Sequence, residues 1–353
     1  MIVNECITII VPVYQSAGYI GKCLDSIIAQ TYPDIQIIVV DDGSTDGTGE
    51  ICDEYARKYD NIEVVHTSNN GPVRARWEGL NKAKGKYVGF VDSDDYVSPE
   101  MFEGLYSEII ESDADFVHSW FKTIENGEEK YEIAPYADCI EVNNDVEKEE
   151  VIIKLFFEKG KRLSPSMWSK LYRRDFAIAN YRYIPETLKY GEDVLFLFAC
   201  IANSKKIKIV SDVYYNYIVR ENSLSHIDDK AKMYNEIGLL CYLENLNEKL
   251  EYPISREYFF EWFRSESFRF LNRAVNGGCG SIRENQFYIK DINRYKDKSI
   301  AIYGMGMVGR DYLEQMDLLG LNPPVALFDN LKKDLFWGKI KIHESSEDRK
   351  SVV

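Results

Sequence analysis

Residues 35–46 read IQIIVVDDGSTD, an apolar run that stops abruptly at two adjacent aspartates and a glycine turn. A short, nearly continuous apolar run rich in β-branched residues reads as a strand buried on both faces, as strands are in parallel sheets. Residues 7–14, ITIIVPVY, repeat the pattern. Between and after these runs, residues 19–30 (Ile20, Leu24, Ile27, Ile28) and 47–59 (Ile51, Tyr55) carry apolar side chains at helical spacing. Strands over 62–65 and 87–91, with a helix over 73–83 between them, complete a β-α-β-α-β-α-β series. That alternation predicts a parallel sheet with right-handed crossovers and helices on both faces. Ligands on such sheets bind beyond the carboxyl ends of the strands, so residues 12–14, 41–44 and 92–95 should converge on one crevice.

The third of these ends is the most chemically marked. Residues 87–96, YVGFVDSDDY, deliver Asp92, Asp94 and Asp95 into one turn. Carboxylates this close repel and raise one another's pKa unless a cation or donor groups share the site. Magnesium or manganese is the natural partner, completing its shell with substrate phosphates. The plainer alternative is an acidic turn that caps the next helix, since Ser98-Pro99-Glu100 is a good helix start.

Taken together, VPVYQSAGYIGKCLDSIIAQTY (11–32), IIVVDDGSTDGT (37–48), NNGPVRAR (69–76), AKGKYVGFVDSDDYV (83–97) and GEDVLF (191–196) resemble family 2 glycosyltransferases of the GT-A fold. The resemblance covers about the first 225 residues, in order. It implies an inverting transferase that takes a sugar from a nucleotide diphosphate donor, most often a UDP-sugar, with Mn2+ or Mg2+. Carried over residue by residue, it implies Asp42 on the uracil imide, with Asp41 a structural residue at the strand end. Pro12 and Tyr14 would form the floor under the base, and Asn70, Gly71 and Arg76 would flank the nucleotide, while Arg74 reads as a solvated helix charge. Asp92 is expected near the ribose and Asp94 on the metal that bridges the diphosphate, with Asp95 a rival for either place. Trp77 departs from the family, which often has Asn there.

The same resemblance gives Asp193 as the general base and Glu192 as a supporting or acceptor-binding group. Favourable interaction with a helix N-terminus is the competing explanation for that pair. WSKLYRRDF (168–176) resembles a family stretch in which Trp168 and Lys170 face the sugar or acceptor, a buried core Trp being the other reading. Residues 215–226, YNYIVRENSLSH, supply Arg220, Ser223, Ser225 and His226, a set of phosphate-binding type on a segment able to close over the diphosphate.

Composition agrees with this reading without leading to it. The chain of 353 residues has room for two or three domains. Its 58 acidic and 43 basic residues leave a net charge of −15, which argues against nucleic acid as a partner. Cysteines 6, 23, 52, 139, 200, 241 and 279 are scattered and read as reduced thiols of a cytoplasmic protein. No basic-apolar-cleavage leader and no membrane-spanning run is evident. An aromatic amphipathic helix over 257–275 should pack on a helix over 231–250, and peripheral membrane contact, a lipid-linked or glycan acceptor and oligomerisation are left open.

The domain reading is a catalytic domain over 1–226, a helical extension over 227–294 and a partial Rossmann-like βαβ module over 295–353. In that module Gly304, Gly306 and Gly309 follow a strand in Gly-X-Gly-X-X-Gly spacing, and Asp329 follows the next apolar run. The alternative function is therefore an NAD(P)-linked oxidoreductase or nucleotide-binding module centred there.

Overall fold

The computed structural model describes residues 5–131, 136–142, 144–158, 163–186, 188 and 191–220, short stretches between 239 and 254, and four strands between 301 and 343. Strands β1 (Ile7–Val13), β2 (Ile35–Asp41), β3 (Ile62–His66) and β4 (Tyr87–Phe90) alternate with helices α1 (Ile20–Ile28), α2 (Thr48–Lys58) and α3 (Pro72–Lys82). β1 runs parallel to β2 and to β4, and β2 parallel to β3, as the repeated strand-helix pattern predicts. Ile7 stands opposite both Ile35 and Tyr87, so the three strands start level; β1 and β2 also finish level, Val13 opposite Asp41, while β4 stops at Phe90 opposite Ile10 and turns into the acidic loop three residues earlier. Ile9, Val11, Ile37 and Val39 pack into one core, with Leu24 of α1. Ile10 packs into a second core on the other face, with Val73 and Leu80 of α3. Each fully buried Ile or Leu contributes about 1.5–3 kcal/mol, which is why both faces must be covered before this sheet is stable.

Beyond β4 the sheet changes character. There follow β5 (Tyr96–Val97), α4 (Met101–Ser112), β6 (Phe116–Glu125), β7 (Glu128–Lys130), β8 (Asp138–Glu141) and α5 (Asp145–Ile152), which continues into a π-helical turn at Ile153–Phe157. Then come β9 (Lys170–Arg173), α6 (Arg174–Tyr181), α7 (Glu192–Asn203) and β10 (Lys206–Ile218). The strand order is β3-β2-β1-β4-β9-β6-β10-β5. β9 lies antiparallel to both β4 and β6, and β10 is parallel to β6 but antiparallel to β5 and β8. The sheet is thus mixed, and the purely parallel expectation holds for its first four strands. Because β9 enters antiparallel, with Leu171 opposite Gly89, its first residue Lys170 lies toward the carboxyl end of β4.

The chain divides into two compact units, Met1–Ala274 and Val275–Val353. The expected boundary after 226 is absent from this division. Leu239, Leu243, Leu246 and Ile254 of the helical extension are buried in the same core as α3 and α7, which attaches them to the first unit. In the second unit, β11 (Ala301–Tyr303), β12 (Ala326–Phe328) and β14 (Ile340–His343) are parallel, and β13 (Phe336–Trp337) pairs antiparallel with β14. The Gly304–Gly309 turn, Asp329, the aromatic helix over 257–275, and Ser223, Ser225 and His226 lie outside the described residues. Among the described residues no helix is long and apolar enough to cross a membrane.

Candidate active site

The loops beyond β1, β2 and β4 are tied together by small polar side chains. Ser16 N–H donates to Thr48 Oγ1 at 2.8 Å, and Ser16 Oγ lies 2.9 Å from Ser93 Oγ in the turn after β4. Gln15, at a left-handed φ of 49°, donates from Nε2 to Thr45 Oγ1 at 3.0 Å. At the end of β2, Asp42 is 4% exposed; its Oδ1 accepts from Asn70 N–H (2.9 Å) and Thr67 Oγ1 (2.8 Å), and its Oδ2 from Gly71 N–H (2.7 Å). This carboxylate therefore organises the Asn70-Gly71 loop, and Oδ2 retains one acceptor position. Gly43 must be glycine: its φ is +79°, and a Cβ there would sit 2.8 Å from Asn69 N.

Asp41 points the other way, accepting from Ser44 N–H at 3.1 Å and meeting His66 Nδ1 at 2.9 Å; His66 Nε2 meets Asp53 at 3.1 Å. The hydrogen bond to Asp41, then that to Asp53, holds the imidazole above its ordinary pKa. Pro12, within β1, is half-buried opposite Val40. Tyr14 (48% exposed) and Tyr19 (43% exposed) stand at the open end of that strand.

The three carboxylates of the DSDD turn have separate surroundings. Asp95 is buried, its Oδ2 accepting from Tyr215 O–H and its Oδ1 from Ile218 N–H, both at 2.8 Å. Burial, and next the Asp92 charge, push it up to about 8. It anchors β10 to the turn. Asp92 donates its N–H to Tyr215 Oη at 3.1 Å, and its Oδ1 accepts from Arg76 Nη2 at 2.9 Å. Asp94 pairs with Arg220, whose guanidinium carbon lies 4.4 Å from the centroid of the Tyr19 ring.

Arg76 is buried and its second amino group donates to Glu192 Oε1 at 2.7 Å. The expected nucleotide-flanking arginine is thus a strut between the turn after β4 and the first turn of α7. Arg74, by contrast, pairs at the surface with Glu78 and Glu186. Trp77 stacks on Tyr181 at 5.9 Å, and Tyr181 O–H donates to Val73 O, so the departure from the family pattern is absorbed in the packing of α3 on α6.

Gly191, which precedes α7, has φ +83°, and a Cβ there would lie 2.6 Å from Leu239 Cδ2. Glu192 and Asp193 both have raised pKa values, burial being the main cause in each. Arg76 works against burial at Glu192. Asp193 Oδ1 accepts from Val194 N–H at 2.8 Å; Arg76 and Lys170 favour its charge, and Asp92 opposes it.

Lys170 is wholly buried, with Nζ donating to the carbonyls of Ser164 (2.9 Å) and Ser166 (2.5 Å). Burial lowers it to about 7. It is engaged in pinning the loop before β9, which replaces the sugar-facing position expected of it. Trp168 is likewise buried, stacked on Tyr215 at 4.2 Å and on Tyr217 at 5.7 Å, and follows the core reading. Tyr215, Thr67 and Tyr19 were not singled out in the sequence. Their signal is positional only: a tyrosine on the inward side of a long strand, and two residues next to strand-end motifs.

A divalent metal fits the turn on one condition. Among the described residues no cluster of three or more His, Cys, Asp or Glu side chains forms a metal site by itself. Asp94 is nevertheless a hard oxygen donor that already accepts a cation, the Arg220 guanidinium, and Asp92 Oδ2 has no hydrogen bond among the described residues. One or two such carboxylates suffice for Mg2+ or Mn2+ when substrate phosphates complete the shell.

Comparison with known proteins agrees with this geometry. Residues 8–176 match the family described as Glycosyl transferase family 2. The uncharacterized glycosyltransferase EpsJ of Bacillus subtilis is 35% identical over 228 residues, 64% of this chain and 65% of its own. Glycosyltransferase GlyA of Streptococcus pneumoniae is 34% identical over 258 residues, 72% of this chain and 36% of its own. The chain thus spans less than two thirds of the length of both. The poly(ribitol-phosphate) beta-N-acetylglucosaminyltransferase TarS of Staphylococcus aureus is 31% identical over 251 residues, 69% of this chain and 41% of its own. The crystal structure of TarS 1-349 in complex with UDP-GlcNAc matches with a TM-score of 0.58 and 27% identity, covering 77% of this chain and 74% of that one. Residues 8–176 therefore match a glycosyl transferase family 2 domain, and the fold is the GT-A fold shared with TarS.

Proposed function

We propose that this domain catalyses the inverting, metal-dependent transfer of a sugar from a UDP-sugar to a hydroxyl of a glycan or lipid-linked acceptor, in cell-surface polysaccharide, teichoic acid or related glycan synthesis. The observation that carries the reading is the charge chain Asp92–Arg76–Glu192. It joins the acidic turn to the start of α7 and so keeps Asp193 within electrostatic range of Asp92. The donor assignment draws on TarS, whose structure holds UDP-GlcNAc, and the acceptor class on its poly(ribitol-phosphate) name.

Under this reading the half-exposed Tyr14 stacks on the base above Pro12, and the remaining position on Asp42 Oδ2 accepts the uracil N3–H. Asn70 and Gly71 are held at the rim by that same carboxylate. Asp94, with Asp92, would hold Mn2+ or Mg2+, and the ion would supply positive charge where the departing diphosphate becomes more negative. The acceptor oxygen attacks the anomeric carbon opposite the diphosphate, the bond to the diphosphate oxygen breaks, and the hydroxyl proton passes to Asp193. A carboxylate whose pKa is raised by burial is a stronger base than a solvated one, and closer to neutral pH. Glu192, committed to Arg76, positions the first turn of α7.

The test is metal-dependent release of the nucleoside diphosphate from a panel of nucleotide sugars, together with thermal stabilisation by UDP plus Mn2+. UDP-sugars should be turned over and UDP should raise the melting temperature only modestly without metal. Equal stabilisation by CDP, or turnover unaffected by chelator, would show the donor or metal assignment to be wrong.

A further inference from the structure

Arg220 stands on the carboxylate to which the metal is assigned. β10 is fixed at its end by the Ile218 N–H on Asp95, and two residues later Arg220 pairs with Asp94. One face of the guanidinium covers the Tyr19 ring from the loop after β1, at 4.4 Å. Its Nε is buried and has no partner among the described residues. A guanidinium offers five N–H donors in a planar fork, and Asp94 satisfies only part of it. An anion with more oxygens than one carboxylate, such as a diphosphate, would complete the set.

We infer that Arg220 is a resident cation at Asp94, displaced when the donor arrives. The inference rests on the metal assignment made under Proposed function. In the nucleotide-free enzyme the Arg220 charge neutralises Asp94, so a divalent ion must either evict the guanidinium or share one carboxylate with it. Two cations on one carboxylate repel, and binding of the metal alone is weak. A nucleoside diphosphate changes the balance: its oxygens give the guanidinium a fuller partner, Arg220 leaves Asp94, and the vacated carboxylate would be free to hold a divalent ion. Metal and nucleotide then reinforce each other's binding, and by linkage each does so by the same factor. Tyr19 acts as the platform that keeps the guanidinium over Asp94 until the diphosphate arrives.

The experiment is a titration of the full chain with Mn2+, read from the electron paramagnetic resonance of free Mn2+, with and without UDP. The unaltered protein should bind Mn2+ weakly alone and much more tightly with UDP. Arg220→Gln should bind Mn2+ alone about tenfold more tightly, the scale of one charge-assisted hydrogen bond. Its enhancement by UDP should shrink by that same factor, leaving the part due to direct metal–diphosphate contact. Tyr19→Leu, which keeps the charge and removes the platform, should move both quantities in the same direction by less, and it decides the matter alone should Arg220→Gln not fold. Unchanged or weaker Mn2+ binding in these variants, with Asp94→Asn still abolishing it, would overturn the resident cation and leave the metal assignment standing. Absence of Mn2+ binding to the unaltered protein with UDP, or normal binding to Asp94→Asn, would remove the metal assignment and this inference with it.

Discussion

The two sides of the crevice are built by different means. On the donor side, β1 and β2 end in register beside the parallel β4, and Asp42 is satisfied chiefly by backbone N–H groups of a loop less than 30 residues away. On the base side, Glu192 is held by Arg76 across 116 residues of sequence, and Lys170 is folded into a carbonyl cradle beneath the same region. Local backbone geometry therefore fixes the first side and buried charge the second. The contrast predicts which substitutions cost binding, which cost rate and which cost stability.

The largest effect is expected where the base side meets the chemistry. Asp193→Asn should lower the transfer rate roughly 10²- to 10⁴-fold while UDP affinity, measured by isothermal titration, stays within a few fold. A variant that transfers normally would move the base to another group. Next comes the strut. Arg76→Met strands the buried Glu192 without its cation and leaves the partly exposed Asp92 to water, and losing one partner of a buried pair costs about 3–5 kcal/mol, measurable as a fall in urea midpoint. Adding Glu192→Gln should recover part of that loss; if it recovers none, the two sides are not coupled through this arginine.

The donor side should respond more mildly and in a different observable. Asp42→Ala removes acceptors for Thr67, Asn70 and Gly71, which are near solvent, so water replaces much of the loss and stability should fall by only about 1–2 kcal/mol. Affinity for UDP should drop with it, and the preference for UDP over CDP should erode in competition binding. A smaller effect is expected at Lys170. Its positive charge favours the Asp193 carboxylate, so Lys170→Met should raise the Asp193 pKa and shift the acid limb of the pH–rate profile upward, by less than one unit. An unmoved limb would confine Lys170 to loop packing. Smallest of all, ending the chain after Ala274 removes the second compact unit and should leave donor turnover unchanged.

The same contrast explains what could be read from the sequence. The donor side was legible because each of its parts is local: an apolar run, a glycine turn, an acidic residue at a strand end. The positions of β1 to β4 and the meeting of residues 12–14, 41–44 and 92–95 followed from the βα repeat. Beyond β4 the repeat stops, and nothing local announces that β9 inserts antiparallel between β4 and β6. Nor does the spacing of Arg76 and Glu192 reveal their pairing, since both are also ordinary helix residues. Lys170 and Trp168 show the cost of reading a motif without its neighbours: one is consumed by two carbonyls, the other by two tyrosines.

Strand β10 has a consequence for biosynthesis. It is the last strand of the first unit's sheet to be made, yet it lies inside that sheet, between β6 and β5. At ~5–20 residues per second, the chain from Glu125 to Lys206 takes about 4–16 s to emerge, and through that interval β6 keeps an open edge. Asp95 meanwhile lacks Tyr215 and Ile218, and Asp94 lacks Arg220. The nascent domain thus holds a formed parallel half and an unfinished acidic turn, so catalytic competence should lag the appearance of secondary structure during refolding, and chaperone dependence should centre on the exposed edge of β6.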